Sequence, residues 1–177
     1  MEFSAPVKVP DGRYYLKVTG DNRLLFKNIS VDSFVAKPIT LGLNDDQAQR
    51  VKGFEDAIML KAKENAVEWF GRDVHVATIQ KAFQSSVGLE NKFETGLSTK
   101  KGDITTTFWG PGKTILDAES DWSAGADVIV ELSGVWFLKK SFGPIFKLLQ
   151  VKSAETKRQP EYLFPEEPVE DDDDYLD

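Results

Sequence analysis

The last seventeen residues, Glu161–Asp177 (EYLFPEEPVEDDDDYLD), hold nine acidic side chains and no basic one. A block of like charge this dense cannot bury itself against a core and stays solvated. Any compact domain must therefore come from the residues before it. Residues 1–155 are expected to form that domain, and residues 156–177 a disordered acidic tail. The 177-residue chain carries 29 acidic and 22 basic residues, a formal net charge of −7, yet residues 1–160 hold 20 acidic against 22 basic. A mildly basic body thus carries a tethered polyanion at high local concentration. Proteins that bind nucleic acid need a basic surface, because phosphate neutralisation supplies most of their non-specific affinity. The terminal block also contains Tyr162, Leu163, Phe164, Tyr175 and Leu176. Solvation does not require such apolar handles, and a docking peptide does.

The body is long enough for one domain with a substantial core. It has no cysteine, so disulfides and thiolate metal sites are excluded. No apolar run is long enough for a signal peptide or a membrane span, so a soluble intracellular protein with no membrane contact is expected.

Patterning divides the body into two β-rich groups around a helix. Tyr14–Thr19 and Arg23–Val31 read as strands, and Gly20-Asp21-Asn22 between them as a hairpin turn. Asp32–Lys37 reads as a third strand stopped by Pro38. Asn44 or Asp45 can cap a helix over about residues 45–70. Along it Val51, Phe54, Ile58, Ala62, Ala66 and Trp69 form the apolar stripe, with Lys52, Glu55, Lys63 and Glu64 opposite. Thr78–Val87 suits a short helix, and Gly88–Gly102 reads as a polar connection. Ile104–Trp109 and Thr114–Leu116 are strand-like around a Gly110-Pro111-Gly112 turn. Ala126–Leu138 is the strongest strand in the chain, with Gly134 as a bulge or bend. Lys139–Gly143 turns it, and Pro144–Lys152 returns. This mainly β pattern fits a small closed barrel better than a sandwich or an α/β sheet.

Signatures of catalysis are sparse. His75 is the only histidine and has no evident nucleophile or acid beside it. Gly110-Pro111-Gly112-Lys113-Thr114 imitates a phosphate loop, but the glycine needed five residues before Gly112 is Thr107. The Asp171–Asp174 run lacks the alternating spacing of a calcium loop. No enzyme activity, metal or cofactor is expected.

The informative cluster is Gly134–Lys152, where Trp136, Phe137, Phe142 and Phe146 interleave with Lys139, Lys140, Lys147 and Lys152. Single-stranded nucleic acid is bound by such mixtures, with rings stacking on bases and cations tracking phosphates. Trp136 and Phe137 point to opposite faces of a strand, so one of the pair is expected inside and one outside. Phe142, at the turn between Lys140 and Gly143, is the aromatic expected to be exposed.

Gly125–Phe137 (GADVIVELSGVWF), Lys140–Gly143 (KSFG) and Phe146–Lys152 (FKLLQVK) resemble the C-terminal signature of the single-stranded DNA-binding proteins of large DNA viruses. Those proteins are akin to the T7-type phage protein. Their pattern is a strand ending in G-[LVI]-W-F, a turn, K-x-F-G, and a last strand like W-K-L-x-Q-V-K; Phe146 stands where tryptophan is frequent. The phage proteins end in an aromatic residue, whereas Leu176 and Asp177 follow Tyr175 here. The resemblance implies a five-stranded oligonucleotide-binding (OB) barrel with an inserted helix and an acidic tail that docks replication partners and competes with DNA. On that basis Trp136 or Phe137, Phe142 and Phe146 are expected to stack bases. Lys139, Lys140 and Lys147, helped by Lys100, Lys101, Lys113, Arg13 and Lys17, are expected to contact phosphates. The tail residues Glu170, Asp171, Asp172, Asp173, Asp174, Tyr175, Leu176 and Asp177 are expected to recruit a DNA polymerase or helicase at the site of viral replication. A homodimer is compatible with this reading. The rival is an acidic-tailed protein-interaction module, a chaperone of basic proteins or a virion component, without nucleic-acid binding.

Overall fold

A computed structural model describes residues 1–154. The expected acidic tail, including Glu170–Asp177, lies outside the described residues. The chain opens with two short strands, β1 (Glu2–Phe3) and β2 (Val7–Lys8). Both pair along one edge of β3 (Tyr14–Thr19). Then come β4 (Arg23–Val31), β5 (Ile39–Gly42), α1 (Asp45–Glu64), α2 (Ala66–Phe70) and α3 (Val76–Ala82). β6 (Lys92–Leu97) follows, then a small hairpin of β7 (Thr99–Lys100) and β8 (Asp103–Ile104). β9 (Thr107–Trp109) and β10 (Ile115–Leu116) form a second hairpin. The long pair β11 (Ala126–Phe137) and β12 (Phe142–Ser153) completes the fold.

The expected hairpin at Gly20–Asn22 does not form. β3 and β4 both run antiparallel to β11 along the same edge, with Lys17 opposite Gly134 and Arg23 opposite Glu131. Gly20–Asn22 is thus an insertion inside one long strand rather than a reversal. The buried Asn22 amide fills it, donating to the Val18 and Leu132 carbonyls at 3.2 and 3.0 Å, while Leu132 N–H donates to Asn22 O at 2.8 Å. Turn chemistry read along one chain cannot reveal a partner strand that satisfies the same groups.

Five strands close a ring. β11 pairs β4, β4 pairs β5, β5 pairs β6, β6 runs parallel to β12, and β12 pairs β11. Two members were misplaced by the sequence. The strand expected at Asp32–Lys37 lies beyond Pro38, as β5. β6 occupies the stretch expected to be a polar connection. Only Phe93 and Thr95 on β6 are buried, because it is flanked by turns and contains Gly96, so its pattern is weak.

The helical insert enters between the second and third ring strands. Asn44 caps α1 in a reciprocal box: its side chain accepts from Gln47 N–H at 2.8 Å, and the Gln47 side chain accepts from Asn44 N–H at 3.0 Å. Asn65 interrupts the expected continuous helix and separates α1 from α2. Val51, Ile58, Ala62, Ala66 and Trp69 are buried, as the spacing predicts. Glu55, expected on the wet face, is buried instead. Its carboxylate accepts from Ser85 Oγ at 2.7 Å and from Ser86 N–H at 2.9 Å. Burial pushes the Glu55 pKa up, against the downward pull of those hydrogen bonds. The lone histidine, His75, caps α3 by accepting Ala77 N–H on Nδ1 at 3.1 Å.

Candidate nucleic-acid interface

The alternation of β11 and β12 sorts the aromatic cluster. Val130, Leu132, Val135 and Phe137 face the core, the phase shifting at the irregularity between Leu132 and Gly134. Trp136 therefore faces out and is half-buried, and Phe137 faces in, so the pair divides as expected. Gly134 and Gly143 make this possible. A Cβ on Gly134 would come within 2.3 Å of the Tyr15 ring, and one on Gly143 within 2.8 Å of the Trp136 ring. The Tyr15 and Trp136 rings thus sit close against bare backbone at these glycines.

The remaining aromatics correct the expectation. Phe142 is 0 % exposed, and Phe137 and Phe146 are buried as well. Phe142 packs against Phe70, Phe83 and Phe137 at centroid distances of 5.2, 5.3 and 6.0 Å, and Phe146 sits 5.0 Å from Phe93. The turn ends at Ser141, two residues earlier than the Gly143 signal suggests, so Phe142 is the first residue of β12 and points inward. These three rings build the core and offer no face to a base.

A cleft of about 890 Å³ lies over this aromatic layer. One wall is the loop before β3 with Tyr14, and another is the end of α2 with Phe70 and Gly71. α3 and the Leu138–Ser141 turn close it. Leu138 N–H donates to Ser141 O at 2.8 Å and fixes that turn. Five cations line the cleft: Arg13, Arg72, Lys81, Lys139 and Lys140, against the carboxylates of Asp11 and Glu68. Arg13 is already engaged, donating from Nε to Asp11 at 2.8 Å. That hydrogen bond lowers the Asp11 pKa and raises the Arg13 pKa. Among the described residues the other four cations make no ion pair. Tyr14, 47 % exposed, stands at the rim.

The structure thus brings together Arg13, Lys139 and Lys140, and adds Arg72, Lys81 and Tyr14, which the sequence did not single out. Arg72 follows the helix-ending Gly71, and Lys81 lies two residues past the buried Ile79; neither position signals convergence until the helices are packed. Lys17 lies on the outer face beside Gly134, close in register to Trp136. Lys100 and Lys101 sit at the β7–β8 hairpin, Lys113 in the turn between β9 and β10, and Lys147 beside Gly96 on β6. None of these four lines the basic cleft.

Among the described residues no helix is long and apolar enough to cross a membrane. Residues 27–170 match the model of a family of unknown function (DUF5871), and the chain belongs to that family. No curated protein and no solved structure matches the chain.

Proposed function

We propose that the protein is a non-enzymatic, sequence-independent single-stranded DNA-binding protein of a viral replication or recombination system. The observation that carries this reading is the convergence of Arg72, Lys81, Lys139 and Lys140 beside Arg13 and the exposed Tyr14 ring. Cations in a groove track a phosphate backbone, and an exposed ring stacks a base whatever its identity. We read the ring of five strands as an OB-type barrel, in which the loop joining the fourth and fifth strands is a recurrent contact for oligonucleotides. Here that loop is Leu138–Ser141, which carries Lys139 and Lys140. Trp136 and Tyr15 extend the aromatic surface on the adjoining sheet face, with Lys17 beside them. The viral setting rests on the resemblance in Gly125–Lys152. The acidic residues Glu170–Asp177 would occupy the basic cleft when DNA is absent and recruit a polymerase or helicase when it is present.

Fluorescence anisotropy with labelled oligo-dT and with a duplex of equal length tests the reading. Preference for the single strand, with affinity falling steeply as salt rises, is the expected result. Equal affinity for both forms would remove the stacking element. No binding to either would favour the rival protein-interaction module.

A further inference from the structure

A second cleft, of about 1080 Å³, has the opposite character. Its walls are the loop after β4, the end of β6, and the β7–β8 and β9–β10 hairpins. Two cations, Lys37 and Lys147, balance two carboxylates, Asp117 and Glu119. Apolar side chains dominate the rest. Val35 is 56 % exposed, Ile104 59 % and Ile115 83 %, and the half-buried Trp109 ring lies among them. Large apolar side chains gathered at one concave site mark a docking surface rather than scattered exposure.

The chain itself supplies an occupant of matching chemistry. Lys152 pairs with Trp109 at the cleft wall, and the described residues end two positions later at Ala154. Tyr162-Leu163-Phe164-Pro165 begins eight residues beyond, a span of up to about 27 Å when extended. The family match runs to residue 170, so it includes Tyr162–Pro165 and stops before the Asp171–Asp174 run. The terminal segment therefore divides into an apolar part shared with the family unit and an acidic part outside it. Glu161 and Glu166 flank the apolar part, and Lys37 and Lys147 flank the cleft.

We propose that Tyr162–Pro165 docks in cis in this neutral cleft, with Leu163 and Phe164 seated among Val35, Ile104, Trp109 and Ile115. The tether makes a weak contact sufficient. A short linker gives an effective concentration of about 1 mM, so an intrinsic Kd of about 0.1 mM leaves the cleft roughly nine-tenths occupied. Docking covers the exposed apolar surface and fixes the point from which the acidic run projects. The inference stands apart from DNA binding and survives if that reading fails.

The absence of cysteine allows a clean test on the full chain. A nitroxide placed at Glu166→Cys is read by its broadening of isoleucine methyl signals. The methyls of Ile104 and Ile115 should lose most of their intensity and recover when the label is reduced. Adding Leu163→Asp and Phe164→Asp should abolish the effect without moving other core signals. Three outcomes overturn the proposal: no broadening at Ile104 and Ile115, broadening centred on Ile79 in the basic cleft instead, or broadening that appears only between labelled and unlabelled molecules, which would mean a second copy.

Discussion

The basic cleft makes a quantitative prediction about salt. Each phosphate neutralised on a single strand adds about −0.7 to the slope of log affinity against log salt. Arg72, Lys81, Lys139 and Lys140 line the cleft without an ion pair among the described residues, while Arg13 is committed to Asp11. Four contacts give a slope of about −2.8, or about a 50-fold loss of affinity for a fourfold rise in salt. Replacing Lys81, Lys139 and Lys140 together with alanine leaves about one contact. The slope should then shrink to about −0.7, so the same rise in salt costs only about threefold. All three lysines are exposed, and such surface changes alter stability by about 0.5 kcal/mol or less each. Anisotropy of labelled oligo-dT over a salt series reads the slope directly. The control is Lys100→Ala with Lys101→Ala at the β7–β8 hairpin, which should leave it unchanged. An unchanged slope in the triple variant, or an equal reduction in the control, would refute the assignment of the phosphate path to this cleft.

Four further outcomes are expected. Phe142→Ala should cost about 3–5 kcal/mol of stability in urea melts, because its ring is wholly buried against Phe70, Phe83 and Phe137. Trp136→Ala should instead leave the fold intact and weaken oligo-dT binding by about 1–3 kcal/mol; reversed behaviour would exchange their roles. Burial raises the Glu55 pKa in the folded state, so protonation favours folding; that contribution is complete below the unfolded value of about 4.3 and lost as pH rises through the folded value. Lowering pH across that window should therefore stabilise the wild type relative to Glu55→Gln, and parallel pH profiles in chemical melts would contradict the shift. Neutralising Asp171–Asp174 to asparagine in the full chain should tighten oligo-dT binding, most at low salt, where charges are least screened; unchanged affinity would separate the acidic run from the cleft.

Much of this fold was legible because its strongest signals are local. The α1 stripe, its Asn44 cap, the bulge near Gly134 and the long β11–β12 pair each follow from spacing within one segment. What failed depended on partners distant in sequence. Gly20–Asn22 looked like a reversal because nothing nearby shows that Leu132 will satisfy Asn22. Glu55 looked wet because the serines that hydrogen-bond it lie thirty residues on. At the candidate site, Lys139 and Lys140 were legible as cations interleaved with aromatics, Arg13 was expected only among the helping cations, and the division between Trp136 and Phe137 followed from strand alternation. Phe142 was not, since the strand begins two residues before the Pro144 expected, which takes Phe142 out of the exposed turn and into the buried sheet. Arg72 and Lys81 enter the site only through packing of α2 and α3, which no periodicity announces.

The most direct test of the central claim is an amide and indole NMR map of the full-length protein titrated with oligo-dT. The account predicts shifts concentrated at Tyr14, Arg72, Lys81 and Leu138–Ser141, with the Trp136 indole moving as well. Shifts confined to the Val35, Ile104 and Ile115 cleft, or no shifts at saturating oligo-dT, would contradict it.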